Sequence, residues 1–121
     1  MSVPVGSVAE FISAAEEAVS EAQPGTRVVA FGHVGDGNIH FNLSLPEDMS
    51  DEEFLAQRHR LAEVVYDVVV RFSGSISAEH GIGQAKRDHL YRYKSETDIT
   101  LMRAVKTALD PENLLNPGKV I

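Results

Sequence analysis

The feature that most constrains this chain is a pair of apolar runs, Arg27 to Val34 and Asn38 to Leu45, joined by Gly35-Asp36-Gly37. Asp-Gly between two such runs is a strong hairpin signal. Period-two alternation then gives the hairpin two unlike faces. Val28, Ala30, Val34, Ile39, Phe41, Leu43 and Leu45 form an apolar face suited to cover helices, while His33, Asn38, His40, Asn42 and Ser44 stand on the other with Val29 and Phe31 behind them. A one-residue slip would turn both histidines into the core, so the register is strongly specified. With Asp36 and Gly37 at the centre of a type I′ turn, Gly35 pairs with Asn38, Val34 with Ile39 and His33 with His40. Directly opposed Cβ atoms lie about 4.5–5.5 Å apart, close enough for two imidazoles to share one metal ion.

The segments around the hairpin read as helices. Val8, Phe11, Ile12, Ala15 and Val19 lie on one stripe of a helix from Ser7 to Glu21, which Pro24-Gly25 stops. Ser50-Asp51-Glu52-Glu53 is a capping box, and it opens a long helix that turns Phe54, Leu61, Val65, Val68, Val69 and Phe72 inward and closes at Gly74. A short strand, Ser75 to Ala78, leads into Glu79-His80-Gly81-Ile82-Gly83. Two further helices follow, Gln84 to Tyr93 and Asp98 to Leu109, and the tail from Asp110 to Ile121 is irregular. The order predicts an α+β fold in one domain. It is a partial ferredoxin-like sandwich with an antiparallel sheet, a first strand missing or reduced to Ser2 to Val5, and extra C-terminal helices. A sheet lacking its first strand exposes an edge, which favours a homodimer through that edge.

Composition narrows the function. The chain has 121 residues, no cysteine and a formal charge of −7. Disulfides, thiolate metal sites and thiol nucleophiles are therefore excluded. The acidic balance disfavours a nucleic-acid surface. No run is long and apolar enough to span a bilayer, and the N-terminus lacks the basic and apolar regions of a signal peptide, which points to the cytoplasm. Nucleophile elbow, P-loop and dinucleotide fingerprints are also missing.

The paired histidines of the hairpin point to metal chemistry. His33 and His40 alone do not fill a site, because a catalytic metal usually takes about three protein ligands and keeps one position open. Glu79, at the end of the expected fourth strand beside the hairpin, completes a two-histidine, one-carboxylate set suited to Zn²⁺, Mn²⁺ or Fe²⁺. Next to it, His80 is placed to act as general base on a substrate hydroxyl whose pKa the metal lowers. His59 and His89 fall inside polar helical stretches and read as solvated; Lys86 and Arg87 read as a solvated helix face. A freestanding metal- or ligand-binding module, a zinc hydrolase and a metal-free interaction domain are the competing readings.

Three motifs, Gly32 to His40 (GHVGDGNIH), Ser75 to Gly83 (SISAEHGIG) and Leu109 to Ile121 (LDPENLLNPGKVI), resemble the C-terminal domain of FAD-linked oxidases. That group holds D-lactate dehydrogenase, the glycolate oxidase flavin subunit and D-2-hydroxyglutarate dehydrogenase. The resemblance covers essentially the whole chain. It implies that His33, His40 and Glu79 hold a divalent metal, zinc or manganese, beside the flavin, that Asn42 helps hold a small 2-hydroxy acid, and that His80 is the base. It further implies that Asn116 and Lys119 belong to a segment returning toward the FAD. Family members begin with an FAD-binding domain. This chain is expected to be the C-terminal portion of the cap, with that domain as its missing partner and no FAD or activity of its own.

Overall fold

A computed structural model describes residues 1–33, 35–44 and 46–121, in two compact units, Met1–Glu79 and His80–Ile121. The class is α+β, as expected. In the first unit a 3-10 turn over Val5–Ser7 leads into α1 (Val8–Ala22), then β1 (Arg27–His33), β2 (Asn38–Ser44) and α2 (Asp51–Arg71). The second unit holds α3 (Arg87–Tyr93) and α4 (Glu96–Leu109).

The regular sheet is the antiparallel pair β1–β2. Beyond it, Ser2 forms antiparallel bridges to both Asn38 and Ser75, so the order across the first unit is β1, β2, Ser2, Ser75. The two further strands of the ferredoxin-like expectation are thus single bridge residues. The first strand is reduced rather than missing: Met1–Val3 cover β2, with Ile39 N–H donating to the Met1 carbonyl at 2.8 Å and Val3 N–H to the Gly37 carbonyl at 3.1 Å. The edge expected to lie open is therefore covered along those residues. The strand expected over Ser75 to Ala78 stops at its first residue for a local reason. The Ser75 hydroxyl donates to the Ser77 carbonyl at 2.7 Å and accepts from its amide, which offers the backbone an alternative to ladder pairing.

The hairpin register also differs from expectation. His33 pairs with Asn38, Gly32 with Ile39 and Phe31 with His40, two residues away from the type I′ alignment. The turn is longer because the His33 carbonyl accepts from both Asp36 and Gly37 amides, at 3.3 and 3.1 Å. The Asn38 amide, which the tighter turn would spend on Gly35, goes to Asp36 Oδ1 at 3.0 Å. A shift of two preserves the pleat, so the division into faces holds. Val34 and Leu45, assigned to the apolar face, lie outside the described residues.

The core of this unit forms where α1 and α2 meet the Phe41 face of the hairpin. Phe11, Ala15 and Val19 of α1 are fully buried, as are Leu61, Val68 and Val69 of α2, nearly so. The Phe11 ring meets Phe41 and Phe72 edge-on at centroid separations of 6.1 and 6.0 Å, joining helix, sheet and the end of α2. The capping box at Ser50 and Glu53 is present with both reciprocal bonds, and the Ser50 amide holds the Glu53 carboxyl below its ordinary range. At the other end of α2 the left-handed residue is Ser73 (φ 55°), not Gly74. Gly74 is required for contact instead: a Cβ there would lie 2.4 Å from the Ser2 carbonyl oxygen.

In the second unit Ser95 caps α4 by accepting from the Asp98 amide. Residues 84–86 are turns, so α3 is shorter than expected. His89 is 7% exposed, which corrects its reading as solvated, whereas His59 is exposed. Arg87 is likewise no simple solvated residue, since it donates to the Gly118 carbonyl at 3.2 Å. Burial lowers the Lys86 pKa. The tail is organised by Asp110, whose carboxylate accepts from Lys106 Nζ and from the Leu114 and Leu115 amides, both at 2.9 Å. Lys106 in turn donates to the Leu115 carbonyl at 2.7 Å.

The Lys106 hydrogen bond, supported by the two amides, holds the Asp110 carboxyl below the ordinary carboxylate range against the opposing effect of burial. A depressed carboxyl stabilises above its unfolded pKa of about 3.9 and loses that contribution as pH falls through the folded value. The tail is therefore expected to be ordered at neutral pH and to loosen only in acid, below about pH 4. Asp110→Asn should show the loosening at pH 7. Hydrogen exchange at the Leu114 and Leu115 amides reads this directly, and unchanged protection in the variant would contradict it.

Candidate metal centre

The site is built by strand pairing. Phe31, His33, Asn38, His40 and Asn42 share the hairpin face opposite the core, and Ser2 carries the segment from Ser75 alongside β2. Glu79 ends that segment, with its Oε1 3.1 Å from His40 Nε2. Both side chains are partly exposed, at 27% for His40 and 43% for Glu79. His33 and His40 are diagonal neighbours rather than opposed ones, yet their rings approach to a centroid separation of 6.3 Å at an interplanar angle of 75°. His33 Nδ1 also lies 3.7 Å from Asp36 Oδ2.

The structure thus places Glu79 against His40, and His33 beside the His40 ring. Asn42 is exposed on the same face, two residues beyond His40. His80 follows Glu79 directly in the chain and begins the second unit. Asn116 and Lys119 lie in the tail of that unit, joined by a hydrogen bond from the Lys119 amide to the Asn116 carbonyl at 3.2 Å. Both line a cleft of about 610 Å³ whose walls include Leu101, Val105, Leu109 and Leu115.

Two neighbours were missed by reading the sequence. Phe31 stacks on His40 with ring centroids 4.9 Å apart and planes 14° apart. Asp36, read only as a turn residue, stands beside His33. Phe31 was placed on this face, but only the true register puts it opposite His40.

Two donors bound to one ion at about 2.0–2.2 Å each lie roughly 3 Å apart, and the His40–Glu79 contact has that spacing. Imidazole and carboxylate donors suit zinc and manganese. The His40 and Glu79 side chains fit a shared divalent cation on distance and donor chemistry.

An α+β domain that offers a histidine–carboxylate set from a hairpin and an adjoining segment is the class defined here. The chain belongs to the FAD-linked oxidase family: it matches the C-terminal domain of FAD linked oxidases over residues 1–120. It is 42% identical to a D-2-hydroxyglutarate dehydrogenase of Stutzerimonas stutzeri over 120 residues, covering 99% of this chain and 26% of that protein. A D-2-hydroxyglutarate dehydrogenase of Xanthomonas citri is 41% identical with 99% and 25% covered. A D-lactate dehydrogenase of Anaerostipes hadrus is 39% identical with 98% and 24% covered. The chain therefore spans about a quarter of the length of these curated relatives. Among the described residues no helix is long and apolar enough to cross a membrane.

The turn that sets the register supplies a test. Gly37 has φ 70°, and a Cβ on it would lie 2.0 Å from the Val3 carbonyl oxygen, whereas a Cβ on Gly35 meets nothing within 4 Å. Gly37→Ala is expected to cost about 1–3 kcal/mol through backbone strain and displacement of the Met1–Val3 segment. Gly35→Ala should be close to neutral. Urea denaturation of the two variants decides the matter, and equal midpoints would refute the turn geometry.

Proposed function

We propose that this chain is the substrate- and metal-binding C-terminal portion of an FAD-dependent oxidoreductase that oxidises a 2-hydroxy acid to the 2-oxo acid. The substrate would be of the D-2-hydroxyglutarate, D-lactate or glycolate type. The observation that carries this reading is the 3.1 Å approach of His40 Nε2 to Glu79 Oε1, with His33 alongside, in a chain of the FAD-linked oxidase family. His33, His40 and Glu79 would hold zinc or manganese.

When bound, the metal supplies a Lewis acid that lowers the substrate hydroxyl pKa, and FAD on the partner domain supplies the hydride acceptor. The residues of this chain do the rest. Asn42, on the same face as His40, offers an amide to hydrogen-bond the substrate. His80 accepts the hydroxyl proton on an imidazole nitrogen as general base. His33 and Asn42 are exposed on that face, which leaves this part of it open for substrate. Asn116 and Lys119 are assigned to the side that meets the FAD-binding domain. Since the flavin would be held by that domain, the chain by itself is expected to carry no flavin absorbance and to oxidise no 2-hydroxy acid.

The reading is tested on chelator-stripped chain titrated with Zn²⁺ and with Mn²⁺, wild type against a His33→Ala/His40→Ala double variant. Stoichiometric binding in wild type and its loss in the variant are expected. Metal-loaded chain should then bind D-lactate or D-2-hydroxyglutarate more tightly than stripped chain. A folded wild type that takes up neither ion removes the metal from the proposal.

A further inference from the structure

Phe31 is the directly opposed cross-strand partner of His40, and its ring lies nearly parallel to the imidazole at 4.9 Å. We infer that Phe31 is a positioning residue for the metal site, fixing the plane of His40 so that Nε2 stays aimed at Glu79. The inference rests on the metal reading above, and it assigns to an aromatic residue a role that the histidine and carboxylate set does not itself supply.

The physical case begins with the freedom of a histidine side chain. Rotation about its second side-chain torsion is broad, so a half-exposed imidazole on a strand samples many ring orientations. Only a narrow range of these points Nε2 at a carboxylate 3.1 Å away. Metal-binding histidines are commonly oriented by a further contact beyond the ion, which raises affinity by limiting that search. A stacked aromatic ring restrains the same motion from the flat side, because rotation of the imidazole breaks the stack. Ring pairs at this separation and angle are in the favourable offset-stacked range.

Burial supports an orienting role over a packing one. Phe31 is 56% exposed, on the face away from the Phe11 and Phe41 core. It therefore contributes little to the interior, and its ring packs on His40. His33, which meets His40 at 75° and is itself largely exposed, provides no comparable flat surface. Around His40 the arrangement places Phe31 against the ring face and Glu79 at Nε2.

The experiment uses the 121-residue chain with Phe31→Leu, which keeps an apolar side chain, and Phe31→Tyr, which keeps the ring. Zinc affinity is measured by competition with a chromophoric chelator. Phe31→Leu should bind zinc about three- to tenfold more weakly than wild type, the range expected from loss of one aromatic stack, and Phe31→Tyr should restore it. In metal-free protein the His40 ring protons should resonate upfield in wild type and Phe31→Tyr, and move to ordinary positions in Phe31→Leu. Equal thermal midpoints would show that the effect is not loss of folding. Wild-type affinity in Phe31→Leu, or His40 resonances that do not move, overturns the positioning role while leaving the metal reading intact. A folded wild type that binds no zinc overturns both.

Discussion

Ser2 and Ser75 exchange backbone hydrogen bonds in both directions, at 2.9 and 2.8 Å, while Met1 and Val3 bond to Ile39 and Gly37 on the other side. This three-residue segment is laid between the hairpin and the chain leaving α2, and the candidate site depends on it. It lays the chain that leads to Glu79 alongside β2, where Glu79 meets His40. Its fit explains two glycines at once. Gly37 and Gly74 both come so close to the carbonyls of Met1–Val3 residues that a side chain at either would collide with backbone. Backbone atoms cannot rotate away as side chains can, so the close approach demands glycine.

The helices support this arrangement from the opposite face. Phe11 is buried against Phe41 of β2 and Phe72 at the end of α2. The same aromatic cluster therefore anchors the strand that bears His40 and the helix end from which the Ser75 segment departs. Arg60 adds a polar tie, donating to the Ala22 carbonyl and to Gln23 at the end of α1. The apolar residues that meet the helices and the polar residues of the site lie on opposite faces because successive residues of one strand point to opposite sides of the sheet.

The second unit depends on a different kind of interaction. Its tail has little regular structure, and Asp110 replaces that structure with several acceptor contacts from one buried carboxylate. Charge-assisted bonds of this kind are stronger than neutral ones, which suits an irregular segment that must keep a defined course. The exposed side chains Leu101, Val105 and Leu109 recur every four residues on α4, and Leu114 and Leu115 extend the apolar surface into the tail. The periodicity of α4 thus describes a helix with two apolar sides, one carrying buried Ile99 and one open.

Local pattern alone determined much of this protein. The α+β class, α1, the Ser50 capping box, the hairpin and the division of its faces follow from periodicity and from turn and cap chemistry, which act over a few residues. So does the choice of His33, His40 and Glu79 as metal-ligand candidates, since their residue types and the parity of the strands survive a two-residue shift. Tertiary structure decided the rest. The register was set by the Asp36 side chain taking the Asn38 amide and by Met1–Val3 pairing with Gly37 and Ile39, contacts that no strand pattern encodes. That shift exchanged His33 for Phe31 opposite His40. The burial of His89 in a polar stretch was invisible for the same reason. Alternation specifies which side of a strand a residue faces, but only packing of distant segments specifies what it meets there.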